Sequence, residues 1–225
     1  LKKTEAPQTI TPIIQQSGFI ANRILHFLAW LWGCSLNNRY PMTRMRLDHF
    51  DVSRTLDRGR PLIVEVAWYF CKMAFFLSAI PWPSAWKRGL LRIFGAKIGA
   101  GVVLKPRVNI YLPWRLEIGC HSWIGEEVFI LNYAEVRIGS HACVSQRAFL
   151  CTGNHDYRDP EFAFRGGSIA VGDGAWVGAA VFVAPGVTVG DEAVVSAGSV
   201  VLKNLPQGMI CSGNPAEPKS ARWKD

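Results

Sequence analysis

The sequence predicts a mainly β chain: a solenoid of six-residue repeats over 98–206, preceded by a helical segment and followed by a short tail. Three observations predict it. An aliphatic residue recurs every sixth position: Ile98 and Leu104, then Ile118, Ile124 and Ile130, then Ile138, Val144 and Leu150, and after a gap Val171, Val177, Val183, Val189, Val195 and Val201. Glycine follows this anchor at 99, 119, 125, 139, 172, 178 and 190. Four places after an anchor stands a small or β-branched residue: Val102, Ser122, Val128, Ala134, Ala142, Ala148, Ala175, Val181, Val187, Ala193 and Ser199.

Each hexapeptide therefore reads as one short strand and one tight turn, with the anchor inside. Three of them make an 18-residue triangular coil, and five coils follow: 98–115, 118–135, 138–155, 171–188 and 189–206. Strands of stacked coils pair at roughly 4.8 Å, so the inward aliphatic columns form a core that no single repeat could bury. Sandwich strands would instead show irregular turn spacing of about 8–12 residues.

The N-terminal segment, 1–97, differs in charge. It holds 14 Lys and Arg against 5 Asp and Glu, whereas 98–225 holds 11 against 12, so the net charge of +8 comes from this segment. No nucleic-acid module accompanies that excess, which directs attention to an anionic membrane surface. Residues 62–80 are apolar enough to suggest a transmembrane helix, but Lys72 at their centre would cost about 3 kcal/mol to insert. Two roles remain for this stretch: a helix that caps the open end of the solenoid, or peripheral contact with a membrane, where Trp82, Trp86, Lys87 and Arg88 would suit the headgroup layer. An apolar run from Phe19 to Cys34 contains Arg23 and His26 and lacks a small-residue cleavage site, which argues against a secretory leader. Six cysteines without a C-x-x-C pair fit a reducing, cytoplasmic setting.

One long interruption breaks the repeat, from 156 to 168, and His155 stands directly before it. An imidazole where a loop leaves the prism wall is either an exposed surface residue or a base. Free imidazole, with a pKa of about 6.5, is largely neutral at pH 7 and needs no strong shift to accept a proton. His121 and His141 fall at one coil position, stacked rather than convergent with His155, a spacing unsuited to a three-histidine zinc site. No metal is expected. No G-x-S-x-G elbow, Walker A run or strand-flanked G-x-G-x-x-G is present.

The runs Ile118-Gly119, Ile138-Gly139, Val171-Gly172-Asp173-Gly174-Ala175-Trp176-Val177-Gly178 and Ala184-Pro185-Gly186-Val187-Thr188-Val189-Gly190-Asp191 resemble the hexapeptide-repeat acetyltransferases. A closer similarity extends from about Phe50 to Pro218. It runs through Ser145-Gln146, Leu150-Cys151-Thr152-Gly153-Asn154-His155-Asp156-Tyr157, Val183-Ala184-Pro185-Gly186 and Gly213-Asn214-Pro215-Ala216, and points to the colanic-acid-type exopolysaccharide O-acetyltransferases. The resemblance implies a left-handed parallel β-helix, a homotrimer with sites between subunits, acetyl-CoA as cosubstrate, and a free or lipid-linked sugar as acceptor at the cytosolic face of a membrane. The rival readings are an acyltransferase acting on an amine or on serine, and a catalytically silent scaffold.

The same resemblance assigns roles. His155 matches the family's catalytic histidine, and Asp156 or a nearby backbone carbonyl would hold its tautomer. The N–H of Ala179 would meet the oxyanion. Trp176 and Gly178 would flank the pantetheine arm, Ala197 and Gly198 would bond its amides, and Lys203, Lys219 and Arg222 are candidates for the CoA phosphates. Where related sugar acetyltransferases carry two arginines after the Gly-x-Pro turn, this sequence has Glu217 and Ser220, and an acceptor-binding asparagine is replaced by Glu127. Glu127, Asn132, Tyr157 and Arg165 complete the expected acceptor site, with Arg158, Phe162 and Phe164 of the loop contributing selectivity.

Overall fold

The structure, a computed structural model, describes residues 43–51 and 57–223. All of these except Thr43 belong to one compact unit, Arg44–Asp225. The Phe19–Cys34 run and the leader reading attached to it lie outside the described residues, as does most of the segment before Leu62.

The repeat folds as a three-sided parallel β-helix. Its first turn is β1 (Lys97–Ile98), β2 (Val103–Leu104) and β3 (Asn109–Ile110). The second is β4 (Leu116–Ile118), β5 (Trp123–Ile124) and β6 (Phe129–Leu131), and the third is β7 (Val136–Ile138), β8 (Cys143–Val144) and β9 (Phe149–Cys151). A hairpin, β10 (Gly153–His155) and β11 (Phe164–Gly166), then leaves the prism. The wall resumes with β12 (Ile169–Val171), β13 (Trp176–Val177) and β14 (Phe182–Val183), then β15 (Thr188–Val189), β16 (Val194–Val195) and β17 (Val200–Val201). A partial sixth turn bridges Leu205 to Val189 and closes with the antiparallel pair β18 (Met209–Gly213) and β19 (Ala216–Ala221).

The three sides are the sheets β1-β4-β7-β12-β15, β2-β5-β8-β13-β16-β18-β19 and β3-β6-β9-β14-β17. Every anchor read from the sequence is buried, from Ile98 to Val201, and Ile110 joins them as the missing member of the first turn. Glycine after an anchor has a steric cause. A Cβ on Gly178 would lie 2.5 Å from the Val195 carbonyl oxygen of the next turn, so the stacking distance itself excludes a side chain.

Two expectations need correction. The first three turns repeat at 20 residues, pairing Ile98 with Ile118 and Ile118 with Ile138, and only the later Val171–Val189 pair shows the 18-residue period. The two additional residues per turn lie at the corner between the third and first sheets, where a 3-10 turn, Pro113–Arg115, widens the path. At that same corner Ala134 is only half-buried, and Asn132 takes the inward place instead.

The N-terminal stretch caps the prism. Helix α1 (Leu62–Phe75) inserts Trp68 into the core, and helix α2 (Ser84–Ile93) crosses the edge of the first turn. That edge would leave unpaired carbonyls, a liability for any solenoid end. Basic side chains take them: Lys87 Nζ donates to the carbonyls of Leu104 and Lys105 at 3.4 and 2.9 Å, Arg88 to Val102 at 2.8 Å, and Arg92 to Ile98 at 2.6 Å. Trp68 Nε1 donates to the carbonyls of Ile110 and Tyr111. Part of the basic excess is therefore structural. Among the described residues no helix is long and apolar enough to cross a membrane.

Candidate active site

Two corners of the prism carry the residues singled out from the sequence. At the corner between the third and first sheets, the β10–β11 hairpin pairs His155 with Phe164. The imidazole stacks on the Phe162 ring at 4.2 Å between centroids and 5° between planes, with Phe50 and Phe164 edge-on at 5.2 and 5.8 Å. Nδ1 lies 2.8 Å from the Phe162 carbonyl oxygen. A carbonyl can only accept, so Nδ1 carries the hydrogen and Nε2 of the neutral ring keeps its lone pair. Among the described residues nothing else bonds Nε2.

The tautomer is thus set by a backbone carbonyl, and Asp156 is engaged elsewhere. Its carboxylate pairs with Arg165 at 2.5 Å and accepts the Arg158 N–H at 3.0 Å, which braces the base of the loop. Arg165 is correspondingly tied to Asp156, and Phe162 and Phe164, expected to face an acceptor, cradle the imidazole. Tyr157 is exposed, its ring under the Arg158 guanidinium. A further contributor has no signal in the sequence. The segment around the 3-10 turn Leu47–His49 reaches the hairpin through Phe50 and through the Arg46 N–H, which donates to the Pro160 carbonyl at 2.7 Å.

The corner between the second and third sheets has a different character. Each turn contributes one residue there in the left-handed region: Arg107, Glu127, Arg147, Ala180 and Gly198, with φ of 56°, 59°, 60°, 54° and 72°. The side chains shrink from charged to none along this column. Over the last two turns the corner becomes a smooth track of backbone, where the Gly198 N–H donates to the Ala179 carbonyl and the Ala179 N–H has no acceptor among the described residues. Ala197 is exposed beside it. Glu126, Glu127, Gln146, Arg147, Ala179 and Ala180 line a groove of about 340 Å³. Trp176 stands half-exposed on the adjoining sheet, its Nε1 donating to Ser145 Oγ at 2.9 Å.

Glu127 is not a free acceptor. Arg147 Nε and Arg107 Nη1 donate to its two oxygens at 2.7 and 3.0 Å, and these bonds, Arg147's first, hold the carboxyl below its ordinary range. Asn132 is fully buried, with Oδ1 accepting the Leu112 N–H at 2.9 Å and Nδ2 donating to the Leu112 carbonyl. It belongs to the interior and not to an acceptor site. Of the candidate phosphate ligands, Arg222 is spent on the carbonyls of Gly174 and Glu192 at a third corner, Lys219 lies on β19 beside Glu217, and Lys203, exposed after β17, has no ion-pair partner among the described residues. His121 and His141 stack at that third corner, 5.3 Å apart.

His155, on the hairpin at the corner between the third and first sheets, and Ala179, beside Ala180 at the corner between the second and third sheets, stand at different corners of the prism.

Comparison with known proteins supplies the family. Residues 168–203 match the hexapeptide repeat of succinyl-transferase. The colanic acid biosynthesis acetyltransferase WcaF of Escherichia coli (strain K12) is 40% identical over 170 residues, covering 76% of this chain and 93% of that protein. A hexapeptide-repeat-containing acetyltransferase from Vibrio cholerae O1 biovar eltor, solved with acetyl coenzyme A, superposes with a TM-score of 0.67 at 23% identity, covering 81% of this chain and all of the other. Galactoside acetyltransferase in complex with coenzyme A gives 0.65 at 22% identity, covering 72% of this chain and 82% of the other. The structural likenesses bear out the β-helix, and similarity to WcaF over most of both chains shows that this protein belongs to the hexapeptide-repeat acetyltransferases.

Proposed function

We propose that this protein transfers the acetyl group of acetyl-CoA to a sugar hydroxyl in exopolysaccharide biosynthesis, with His155 as general base. The observation that carries the reading is the Phe162 carbonyl on Nδ1, which leaves Nε2 as the proton-accepting atom. Similarity to WcaF supports the pathway class, and the presence of coenzyme A or its acetyl ester in two solved relatives supports the donor. A cytosolic setting follows from where acetyl-CoA is available.

Nε2 takes the proton of the acceptor hydroxyl as its oxygen bonds to the thioester carbonyl carbon. The carbonyl oxygen, now anionic, is met by the Ala179 N–H. On collapse the C–S bond breaks, and the imidazolium returns its proton to the departing CoA sulfur. The track at Ala179, Ala197 and Gly198 suits a pantetheine arm because nothing larger than a methyl group stands on it and the Ala179 N–H has no acceptor among the described residues, the Gly198 N–H being taken by the Ala179 carbonyl. With His155 and Ala179 at separate corners, the complete site is assembled by packing one chain's hairpin against the neighbour's track, which a cyclic trimer provides three times. Tyr157, exposed on the hairpin, and Lys203, after β17, are the remaining candidates for acceptor and phosphate contacts.

The test is acetyl-CoA-dependent thiol release with activated sugars, lipid-linked oligosaccharides, amines and serine as acceptors. Sugar-dependent release is expected, with His155→Ala reducing turnover about 10³-fold while CoA binding persists. Release with amines alone would replace the sugar reading, and an unchanged rate in His155→Ala would remove the base.

A further inference from the structure

The mechanism leaves one buried cation unused. Helix α1 and the corner segment of the first turn enclose a cleft of about 250 Å³, walled by Trp68, Tyr69, Tyr111 and Trp114. Lys72 lines it and is only 8% exposed. Its ammonium lies 5.5 Å from the centre of the Tyr111 ring, and among the described residues it has neither a hydrogen-bond acceptor nor a carboxylate partner. Lys87, equally deep in the cap, shows the ordinary solution, with two carbonyls accepting from its Nζ. Glu65 also lines the cleft, but its carboxylate is taken by Arg58 at 2.6 Å. The cleft therefore holds one uncompensated positive charge in a largely aromatic wall, and burial alone pulls the ammonium below its ordinary pKa. With no acceptor or carboxylate beside it among the described residues, the ammonium tip opens onto the cleft while its stem is packed away, a position that an anion can occupy.

The same helix carries a second unexplained feature. Leu62, Ile63, Val66, Tyr69, Phe70 and Met73 are all exposed, at i, i+3, i+4 and i+7 spacing, without a charged residue among them. Leu62, Val66 and Tyr69 belong at once to this face and to the lining of the cleft, so the two features are continuous. An acidic sugar would satisfy Lys72 and leave Ile63, Phe70 and Met73 in water. A second copy of the chain could cover the apolar face, yet the nearby Glu65 is already neutralised and would bring no anion. An amphiphile with an anionic head satisfies both.

We propose that α1 binds an anionic lipid at a membrane surface, its phosphate on Lys72 within the aromatic cleft and its acyl chains along Ile63, Val66, Phe70 and Met73. The helix lies in the plane of the surface. The charge of Lys72, which opposes its insertion across a bilayer, instead binds the headgroup.

Flotation of the full chain with vesicles tests this. Vesicles of phosphatidylglycerol in phosphatidylcholine should carry the protein, and pure phosphatidylcholine should carry it at least tenfold less. Lys72→Met should lower the affinity for anionic vesicles about tenfold and Lys72→Arg should retain it, while Ile63→Ser combined with Phe70→Ser should abolish flotation with thiol release intact. Wild-type protein that stays with the soluble fraction, or Lys72→Met that floats like wild type, overturns the proposal. A Lys72-dependent rise in melting temperature with inorganic phosphate, without flotation, would assign the cleft to a soluble phosphate and equally overturn it.

Discussion

The two working corners of the prism are built by opposite means. Along the corner between the second and third sheets the repeat runs without interruption, and each turn delivers a backbone step of the same geometry, from Arg107 to Gly198. At the corner between the third and first sheets the run of repeats is broken by the β10–β11 hairpin, and the break holds the imidazole. A regular solenoid can present a row of equivalent N–H groups, but it cannot present one unique side chain in a fixed tautomer. The irregular corner can, because Phe162, Phe164 and Phe50 surround His155 with contacts that the repeat does not make. The comparison teaches that periodicity supplies a uniform backbone track and its interruption supplies a single side chain held in one tautomer.

The sharpest way to break this division is to separate the corners genetically. Under the proposed function His155→Ala removes the base and Ala179→Pro the oxyanion donor, and each chain alone should lose about 10³-fold in turnover. If the corners meet across subunits, co-expression of the two inactive chains should restore activity in about one quarter of the sites, since a neighbouring pair then combines an intact histidine with an intact N–H. Subunits mixed in this way and assayed for thiol release give the answer. No recovery at all would mean that both residues act within one chain, contrary to their separation here.

Next in size is Asn132, which tests how far the sequence could be read. Asn132→Ala should cost about 2–4 kcal/mol in urea unfolding, because the Leu112 N–H and carbonyl would be left buried without partners, with kcat and KM unchanged. The anchor columns were legible because an aliphatic side chain at every sixth position has one explanation, a shared interior, and all of them are buried. The place of His155 was legible because a break in a strict period is as visible as the period. Asn132 was not, since an inward amide bridging two turns and an outward amide awaiting a sugar look alike in sequence. Phe50 was not, because a ring-to-ring contact spanning 105 residues leaves no local pattern. The tautomer-setting carbonyl was foreseen only as one alternative, since any residue carries a carbonyl.

A smaller effect should follow from loosening the irregular corner without removing its base. Phe162→Ala keeps the carbonyl that bonds Nδ1 and deletes the ring stacked on the imidazole. Turnover should fall about tenfold, equivalent to about 1.4 kcal/mol, with the KM for acetyl-CoA unchanged. A purely structural role for Phe162 would lower the melting temperature and leave kcat of the folded enzyme unchanged.

The smallest effect is expected on the regular corner, at Glu127. Its carboxylate is shared between Arg147 and Arg107, which hold it ionised below the usual carboxylate range, so the groups an acceptor hydroxyl would need are already taken. A carboxyl with a depressed folded-state pKa contributes stability above its unfolded value and loses it as the pH falls through the folded one, so any effect of Glu127 on stability belongs to the acid side. The carboxylate is partly exposed and its two ion pairs lie at the surface, where water and salt screen them, so even there the change should be slight. Glu127→Gln should therefore leave kcat and the acceptor KM within about threefold of wild type near neutral pH. A tenfold rise in acceptor KM would show that the ladder opens to receive a sugar, and the regular corner would then provide specificity as well as a track.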